Sequence, residues 1–186
     1  MKRLFDLIVF VVALIIFAIP MILVALAVAM TSKGPILYWS KRVGKNNHVF
    51  NMPKFRTMRV NTPVLPTHLL GNPDVYLTPI GSFLRKSSLD ELPQLWCILI
   101  GDMSVVGPRP ALSNQQDLMD ARTAKGIHRI KPGLTGWAQV NGRDEIALEE
   151  KVRLDDEYLA KKSFLFDVYV VLLTFYKVVK REGIQH

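Results

Sequence analysis

From Leu4 to Met30 the chain is apolar at every position except Asp6 and Pro20, and as a helix this run exceeds the roughly 30 Å hydrocarbon core of a bilayer. Pro20 has no amide hydrogen and its ring clashes with the preceding turn, so a bend is expected there. Lys2 and Arg3 precede the run, and Lys33, Lys41, Arg42 and Lys45 follow it. Basic flanks stay on the cytoplasmic side of a membrane, so both ends are expected on one face. A helix that dips in and returns at Pro20 satisfies both flanks; a straight span with a mild kink is the alternative. A cleaved signal peptide would share the basic start and the Ala27-Val28-Ala29 pattern, but this apolar region is about twice the usual length for one.

Beyond Gly34-Pro35 the pattern shortens. Ile36-Leu37-Tyr38-Trp39 and Val49-Phe50-Asn51-Met52 predict two strands around the turn-rich Gly44-Lys45-Asn46-Asn47, a small basic hairpin. Pro63, Pro66, Pro73 and Pro79, with Gly71-Asn72 among them, leave residues 60–79 little room for an uninterrupted helix. That stretch is either a substrate-covering loop or a connection. Leu92 to Ile100 reads as a largely buried helix ended by Gly101 as C-cap. Residues 107–143 are loop-rich, and their glycines serve either ordinary turns or close backbone approach to a ligand. Asp144 to Leu159 places Leu148, Val152, Tyr158 and Leu159 at near-helical spacing with charges opposite, a surface helix. Phe164 to Val179 is apolar but only about 24 Å long as a helix, and Lys161, Lys162, Lys177, Lys180 and Arg181 bracket it. It either lies in a membrane interface or packs into the core.

Composition narrows the class. Of 186 residues 49% are hydrophobic and the mean hydropathy is +0.19, high for a soluble domain, with most of the excess in the first thirty positions. About 155 residues remain for a globular part, enough for a real core. Lys and Arg exceed Asp and Glu by 24 to 16, a net charge of +8, which favours anionic partners: nucleic acid, anionic lipid or phosphorylated metabolites. No aromatic-rich reader motif or finger spacing supports nucleic acid. The single cysteine, Cys97, excludes an internal disulfide and a multi-thiolate metal site, and its apolar neighbours disfavour a thiolate nucleophile.

Candidate chemistry centres on Leu84-Arg85-Lys86-Ser87-Ser88-Leu89-Asp90-Glu91-Leu92-Pro93-Gln94. Ser88 with Glu91 matches a capping box, and Asp90 is itself a candidate cap with Pro93 in the first turn. The functional alternative is a helix start presenting free N–H groups and a positive dipole end to a phosphate, with Arg85 alongside. Two adjacent acids beside a phosphate need neutralising, and Mg²⁺ held by one or two carboxylates plus substrate phosphates is the usual solution. Lys54 and Arg56 continue a strand and so point to one face, while Arg109 is framed by Pro108 and Pro110. Each alone reads as a solvated cation; together with a bilayer anchor they point to a phosphate-bearing ligand at a membrane.

The chain closely resembles the monotopic phosphoglycosyl transferases, bacterial sugar transferases that start glycan assembly on polyprenol phosphate. Five segments in order carry the resemblance: Lys54-Phe55-Arg56-Thr57-Met58, Ser88-Leu89-Asp90-Glu91-Leu92-Pro93-Gln94, Gly101-Asp102-Met103-Ser104, Val106-Gly107-Pro108-Arg109-Pro110, and Pro132-Gly133-Leu134-Thr135-Gly136-Trp137-Ala138-Gln139-Val140-Asn141-Gly142-Arg143. The length looks like the minimal form of the family, without the extra membrane helices of its larger members. The resemblance implies a mainly α, membrane-associated fold with a short β-hairpin. Its parts would be a re-entrant helix over residues 1–32 broken near Pro20, and a compact cytoplasmic catalytic domain over residues 33–186 with interfacial amphipathic helices.

The implied reaction moves a phosphosugar from a UDP-sugar to polyprenol phosphate and releases UMP. Asp90 would be the covalent nucleophile, Glu91 its partner in binding Mg²⁺ or deprotonating the acceptor, and Arg85, Lys54, Arg56, Arg109 and, more weakly, Arg143 the phosphate ligands. The implied setting is the cytoplasmic face of a bacterial inner membrane, with membrane lipids, a second copy of the chain and downstream glycosyltransferases as further partners. An N-acetylated or deoxy-amino hexose is the family habit, but no residue here selects a sugar. Two departures stand out: Ser40 where the family commonly has Gln, and Cys97 where it often has Asn. The alternative function is a membrane-tethered scaffold for glycan-assembly enzymes without turnover, for which paired acids in a phosphate pocket have no use.

Overall fold

The structure, a computed structural model, describes residues 1–63, 73–142 and 146–180. Helix α1 (Lys2–Thr31) is followed by strands β1 (Leu37–Val43) and β2 (Val49–Phe55), then α2 (Gly81–Ser87), a 3₁₀ turn over Leu89–Gln94, and α3 (Leu95–Ile100). Next come β3 (Ser104–Val106), β4 (Ala111–Leu112), α4 (Gln116–Ala124), β5 (Gly133–Thr135), α5 (Trp137–Gly142), α6 (Leu148–Lys161) and α7 (Phe164–Lys180). Helices predominate, as expected.

The hairpin forms where its pattern predicts, β1 against β2 antiparallel with Tyr38 opposite Lys54 and Ser40 opposite Met52. It gains a third strand, β4, on the other edge of β1. A second, parallel pair joins β3 to β5, an element not anticipated in the glycine-rich stretch. The glycines there bring backbone to backbone. A Cβ on Gly133 would sit 2.1 Å from the amide nitrogen of Gly107, and one on Gly136 would sit 2.1 Å from the Gly107 carbonyl oxygen. The tight packing of β3 against β5 explains these glycines without a ligand.

Pro20 lies inside α1 and does not end it; the break expected there is a lost hydrogen bond within a continuous helix rather than a gap in it. Within the described residues α1 alone is long and apolar enough to cross a membrane, with a mean hydropathy of 3.3 over its most apolar window. Both of its ends dock on the same globular body. At the start, buried Asp6 accepts hydrogen bonds from Ser104 Oγ (2.8 Å) and the Val105 amide (3.0 Å). Lys2 donates to Asp167 of α7 at 2.6 Å, and Arg3 to the carbonyls of Ile98 and Leu99, each at 2.6 Å. At the far end Val24 and Val28 pack with Phe55 and Leu84. Between these anchors Val11, Val12, Ile15, Ile16 and Ile19 are half or more exposed.

The main core joins Phe10 of α1 to Phe50 and Met52 of β2, Ile98 of α3, Val105 and Val106 of β3, and Tyr158 and Val170 of α6 and α7. A second cluster under α4 and α6 gathers Val43, Ala111, Leu118, Ile127 and Val152. Helix α7 packs into the core on one side, where Asp167 and Val170 are buried, while Leu165, Leu172 and Phe175 on its other side are 63–77% exposed. The C-cap expected at Gly101 is present, in the left-handed region at φ 94°.

Candidate active site

The Asp90-Glu91 pair sits in the 3₁₀ turn between α2 and α3, packed under β2. The capping box does not form. Ser88 is itself left-handed at φ 56° and its side chain makes no cap hydrogen bond. Its backbone is used instead, the amide donating to the Arg85 carbonyl at 3.1 Å and the carbonyl accepting from the Glu91 amide at 3.2 Å. Helix α3 begins after the dyad and is a single short helix of 6 residues, so a macrodipole is a minor influence on an anion here.

Glu91 is instead drawn sideways to cations from distant segments. Its Oε1 accepts from Lys54 Nζ of β2 at 2.7 Å and from Arg109 Nη2 at 3.2 Å. Asp90 Oδ2 lies 3.9 Å from the same ammonium, close enough for Coulomb attraction but beyond a hydrogen bond. One lysine therefore stands between two nearly buried acids and is shared unequally. Burial alone would raise both. For Glu91 the adjacent charges of Lys54 and Arg109 outweigh burial and hold its carboxyl far below the usual carboxylate range. For Asp90 burial wins and the negative charge of Glu91 adds to it, lifting the carboxyl to about 6 against the downward pull of Lys54, Arg85 and Arg109. At neutral pH both are ionised, with Asp90 the more basic and the less encumbered.

The Pro108-Arg109-Pro110 segment is fixed by its carbonyls. Gly133 N–H donates to the Pro108 oxygen (2.9 Å), Arg122 Nη1 to that of Arg109 (2.8 Å) and Arg42 Nη1 to that of Pro110 (3.2 Å). Arg122 is buried and paired to buried Asp155 of α6 through Nε (3.0 Å) and Nη2 (2.6 Å). Arg122, Asp155 and Arg42 are thus positioning residues that the sequence alone did not single out. Each sits among ordinary surface-type residues, and only tertiary contact reveals what it holds.

The other expected ligands fall in different places. Arg85 is in the last turn of α2 and acts on Asp90 through its charge. Arg56 is not among the dyad's ion-pair partners: it is 5% exposed and donates through Nη2 to the carbonyl (2.9 Å) and hydroxyl (2.7 Å) oxygens of Ser32 just after α1. Arg143 lies outside the described residues. Ser40 is buried and accepts from Arg42 Nε at 3.0 Å, so this departure is absorbed by the hairpin. Cys97 is fully buried, and burial, helped by the charge of Asp102, pushes its thiol up to about 12, which removes it as a nucleophile.

No group of three or more His, Cys, Asp or Glu among the described residues could enclose a metal. The two adjacent carboxylates, with the Asp90 side chain only within Coulomb reach of Lys54 at 3.9 Å, fit an ion that keeps most of its ligands from water and substrate phosphate, as Mg²⁺ does.

Comparison with known proteins gives a consistent picture. The sequence model of one family, described as bacterial sugar transferase, matches residues 1–181. The uncharacterized sugar transferase EpsL of Bacillus subtilis (strain 168) is 40% identical over 185 residues, covering 100% of this chain and 90% of that protein. The undecaprenyl-phosphate glucose phosphotransferase of Komagataeibacter xylinus is 39% identical over 97% of this chain, and the UDP-glucose:undecaprenyl-phosphate glucose-1-phosphate transferase of Escherichia coli (strain K12) is 38% identical over 95%. The match spans only 35% and 40% of the lengths of those two proteins.

The raised Asp90 carboxyl has a thermodynamic consequence. An acid that binds its proton more tightly folded than unfolded costs stability as pH rises from its unfolded value, near 3.8, through its folded value of about 6. Asp90→Asn removes that cost. In metal-free detergent solution the variant should unfold several degrees above the parent at pH 7.5, a difference on the order of 2–3 kcal/mol, and at the same temperature as the parent at about pH 3, below the unfolded value. Equal midpoints at both pH values would contradict a burial-raised Asp90.

Proposed function

We propose that this chain, which belongs to the bacterial sugar transferase family, transfers a phosphosugar from a UDP-sugar to polyprenol phosphate at a membrane surface. The observation that carries the reading is the unequal sharing of Lys54 between Asp90 and Glu91. The names of the Komagataeibacter and Escherichia relatives support the substrate classes.

In the first step a carboxylate oxygen of Asp90 attacks the phosphorus that bears the sugar. A P–O bond to the departing phosphate breaks, UMP leaves with the electron pair, and Asp90 becomes an acyl phosphate. An oxygen of the lipid phosphate then attacks the same phosphorus and expels the Asp90 carboxylate, leaving the lipid diphosphosugar. A carboxylate with an elevated pKa is a stronger nucleophile than an ordinary one and is still largely ionised above pH 7, which suits Asp90 to the first step. The lipid phosphate is largely dianionic near neutral pH, since a phosphate monoester loses its second proton near pH 6, so the second step needs little base assistance. Glu91, held ionised by Lys54 and Arg109, is a poor base; its role is to fix those two cations beside the reacting phosphate. Arg85 and Arg109 add positive charge where the transferred group passes. Mg²⁺ bound by Asp90 and Glu91 would neutralise phosphate charge and orient the diphosphate for in-line attack.

The membrane arrangement follows from α1. A straight span would carry one end of the helix away from a globular part that lies on one side of the bilayer. Docking of both ends of α1 on that part supports re-entry, with the exposed middle around Pro20 in the apolar layer. The exposed Leu165, Leu172 and Phe175 of α7 support an interfacial position for that helix. The basic flanks of α1 support a cytoplasmic position for the domain.

Two measurements test this reading. A two-step reaction through Asp90 exchanges labelled UMP into UDP-glucose without any lipid acceptor, and Asp90→Asn abolishes the exchange by about 10³-fold or more. If product forms with lipid present while no UDP-sugar tried supports exchange, the reaction is a direct transfer and the covalent step fails. For topology, in a Cys97→Ser background, a cysteine added ahead of Met1 and one at Lys33 should both react with an impermeant maleimide from the same side. Labelling from opposite sides would restore a straight span.

A further inference from the structure

Where α1 ends, the described residues line an open cavity of about 570 Å³, well within the range of small-molecule sites. None of Asp90, Glu91, Lys54 or Arg109 lines it, so it is separate from the dyad. Its walls carry three cations, Lys33, Arg56 and Arg59, and not one acid among the described residues.

Arg56 is the informative member. Two of its three guanidinium nitrogens, Nε and Nη1, are buried without a hydrogen-bond partner, while Nη2 is spent on Ser32. It has no ion pair among the described residues, and residues 64–72, which stand between two of the lining segments in sequence, contain no Asp or Glu. A nearly buried cation without a carboxylate is costly and makes the cavity floor strongly positive. Lys33 and Arg59 are exposed at the wall and also have no ion pair among the described residues. Three uncompensated cations around one space call for an anion.

The apolar members set the kind of anion. Val60 and Val75 line the same cavity yet are 66% and 55% exposed, and Met30, the last residue of the apolar run, is 85% exposed close by in the chain. A hydrophilic ion makes no use of these groups, whereas an amphiphile with its phosphate against the cations and its chain along them uses both. The volume agrees, since a bare phosphate would occupy only a small part of it.

We propose that this cavity binds the phosphate headgroup of a lipid at the membrane end of α1, as a site distinct from the reacting dyad. The lipid's phosphate faces Arg56 between Lys33 and Arg59, and its chain leaves past Val60 and Val75 toward the layer that holds the middle of α1. An isoprenyl phosphate and a bilayer glycerophospholipid present the same chemistry here. The site requires nothing of Asp90, so its test is run in a chain unable to use that residue.

The full chain carrying Asp90→Asn is purified in detergent. Its affinity is measured for undecaprenyl phosphate, undecaprenol, phosphatidylglycerol and inorganic phosphate, with and without Lys33→Gln and Arg59→Gln together. The added pair should weaken a phosphate-bearing lipid by about tenfold or more and leave undecaprenol unchanged. Loss confined to undecaprenyl phosphate identifies an isoprenyl headgroup, and loss confined to phosphatidylglycerol a bilayer lipid; either outcome supports the site. The single substitutions at these exposed positions, each with an unchanged melting temperature and part of the loss, guard against misfolding. Unchanged affinity for both phosphate lipids would overturn the proposal, as would inorganic phosphate competing as well as the lipids do.

Discussion

The shared ammonium of Lys54 is the contact on which the site depends. Two adjacent carboxylates placed nearly out of water would each resist ionisation, and the ammonium between them offsets that cost where the turn over Leu89–Gln94 packs under β2. Because that cation sits 2.7 Å from Glu91 and 3.9 Å from Asp90, it does not treat the two alike. Glu91 receives the hydrogen bonds, and with them the fixed charge. Asp90 is left buried, basic and unencumbered, which is what a carboxylate nucleophile requires.

That inequality is built by long-range structure. Lys54 is placed by the register of β2 against β1, and Arg109 by a segment whose carbonyls are held by Gly133, Arg122 and Arg42. The Arg122–Asp155 pair ties this segment to α6, and the Lys2–Asp167–Tyr158 contacts tie α6 and α7 to the start of α1. The apolar helix α1 is therefore part of the same packed body as the dyad. In the proposed reaction a soluble donor and a membrane acceptor meet at one phosphorus, and this shared packing would hold the lipid-facing helix beside the turn that carries Asp90.

The features legible in the sequence are those whose cause is local. The strands begun by Ile36 to Trp39 and Val49 to Met52, the glycine stop at Gly101 and the apolar face of α6 follow from periodicity and turn chemistry, although both strands run on to Val43 and Phe55. The capping box was a sound local reading that lost to a tertiary force: Glu91 gains more from two cations than from one amide hydrogen. Arg56, grouped with Lys54 by strand alternation, is taken up by Ser32 instead, because the end of α1 lies beside the end of β2, where the Arg56 amide still donates to Ile36. Strands β3 and β5 are hidden because they are only three residues each and lie beside turn-type glycines, with the close approach of Gly107 and Gly133 visible only in the fold. Arg122 and Asp155 gave no signal, since neither spacing nor neighbours distinguish a buried pair from two surface charges.

The central claim is that, of two neighbouring acids, Asp90 alone takes the phosphosugar. Intact-protein mass measurement followed by peptide mapping, after exposure to UDP-glucose and Mg²⁺ without lipid, tests it directly. The adduct should equal one hexose phosphate, map to Asp90, and still form in Glu91→Gln at a reduced rate. An adduct on Glu91, or one that survives Asp90→Asn undiminished, would contradict the assignment of the nucleophile.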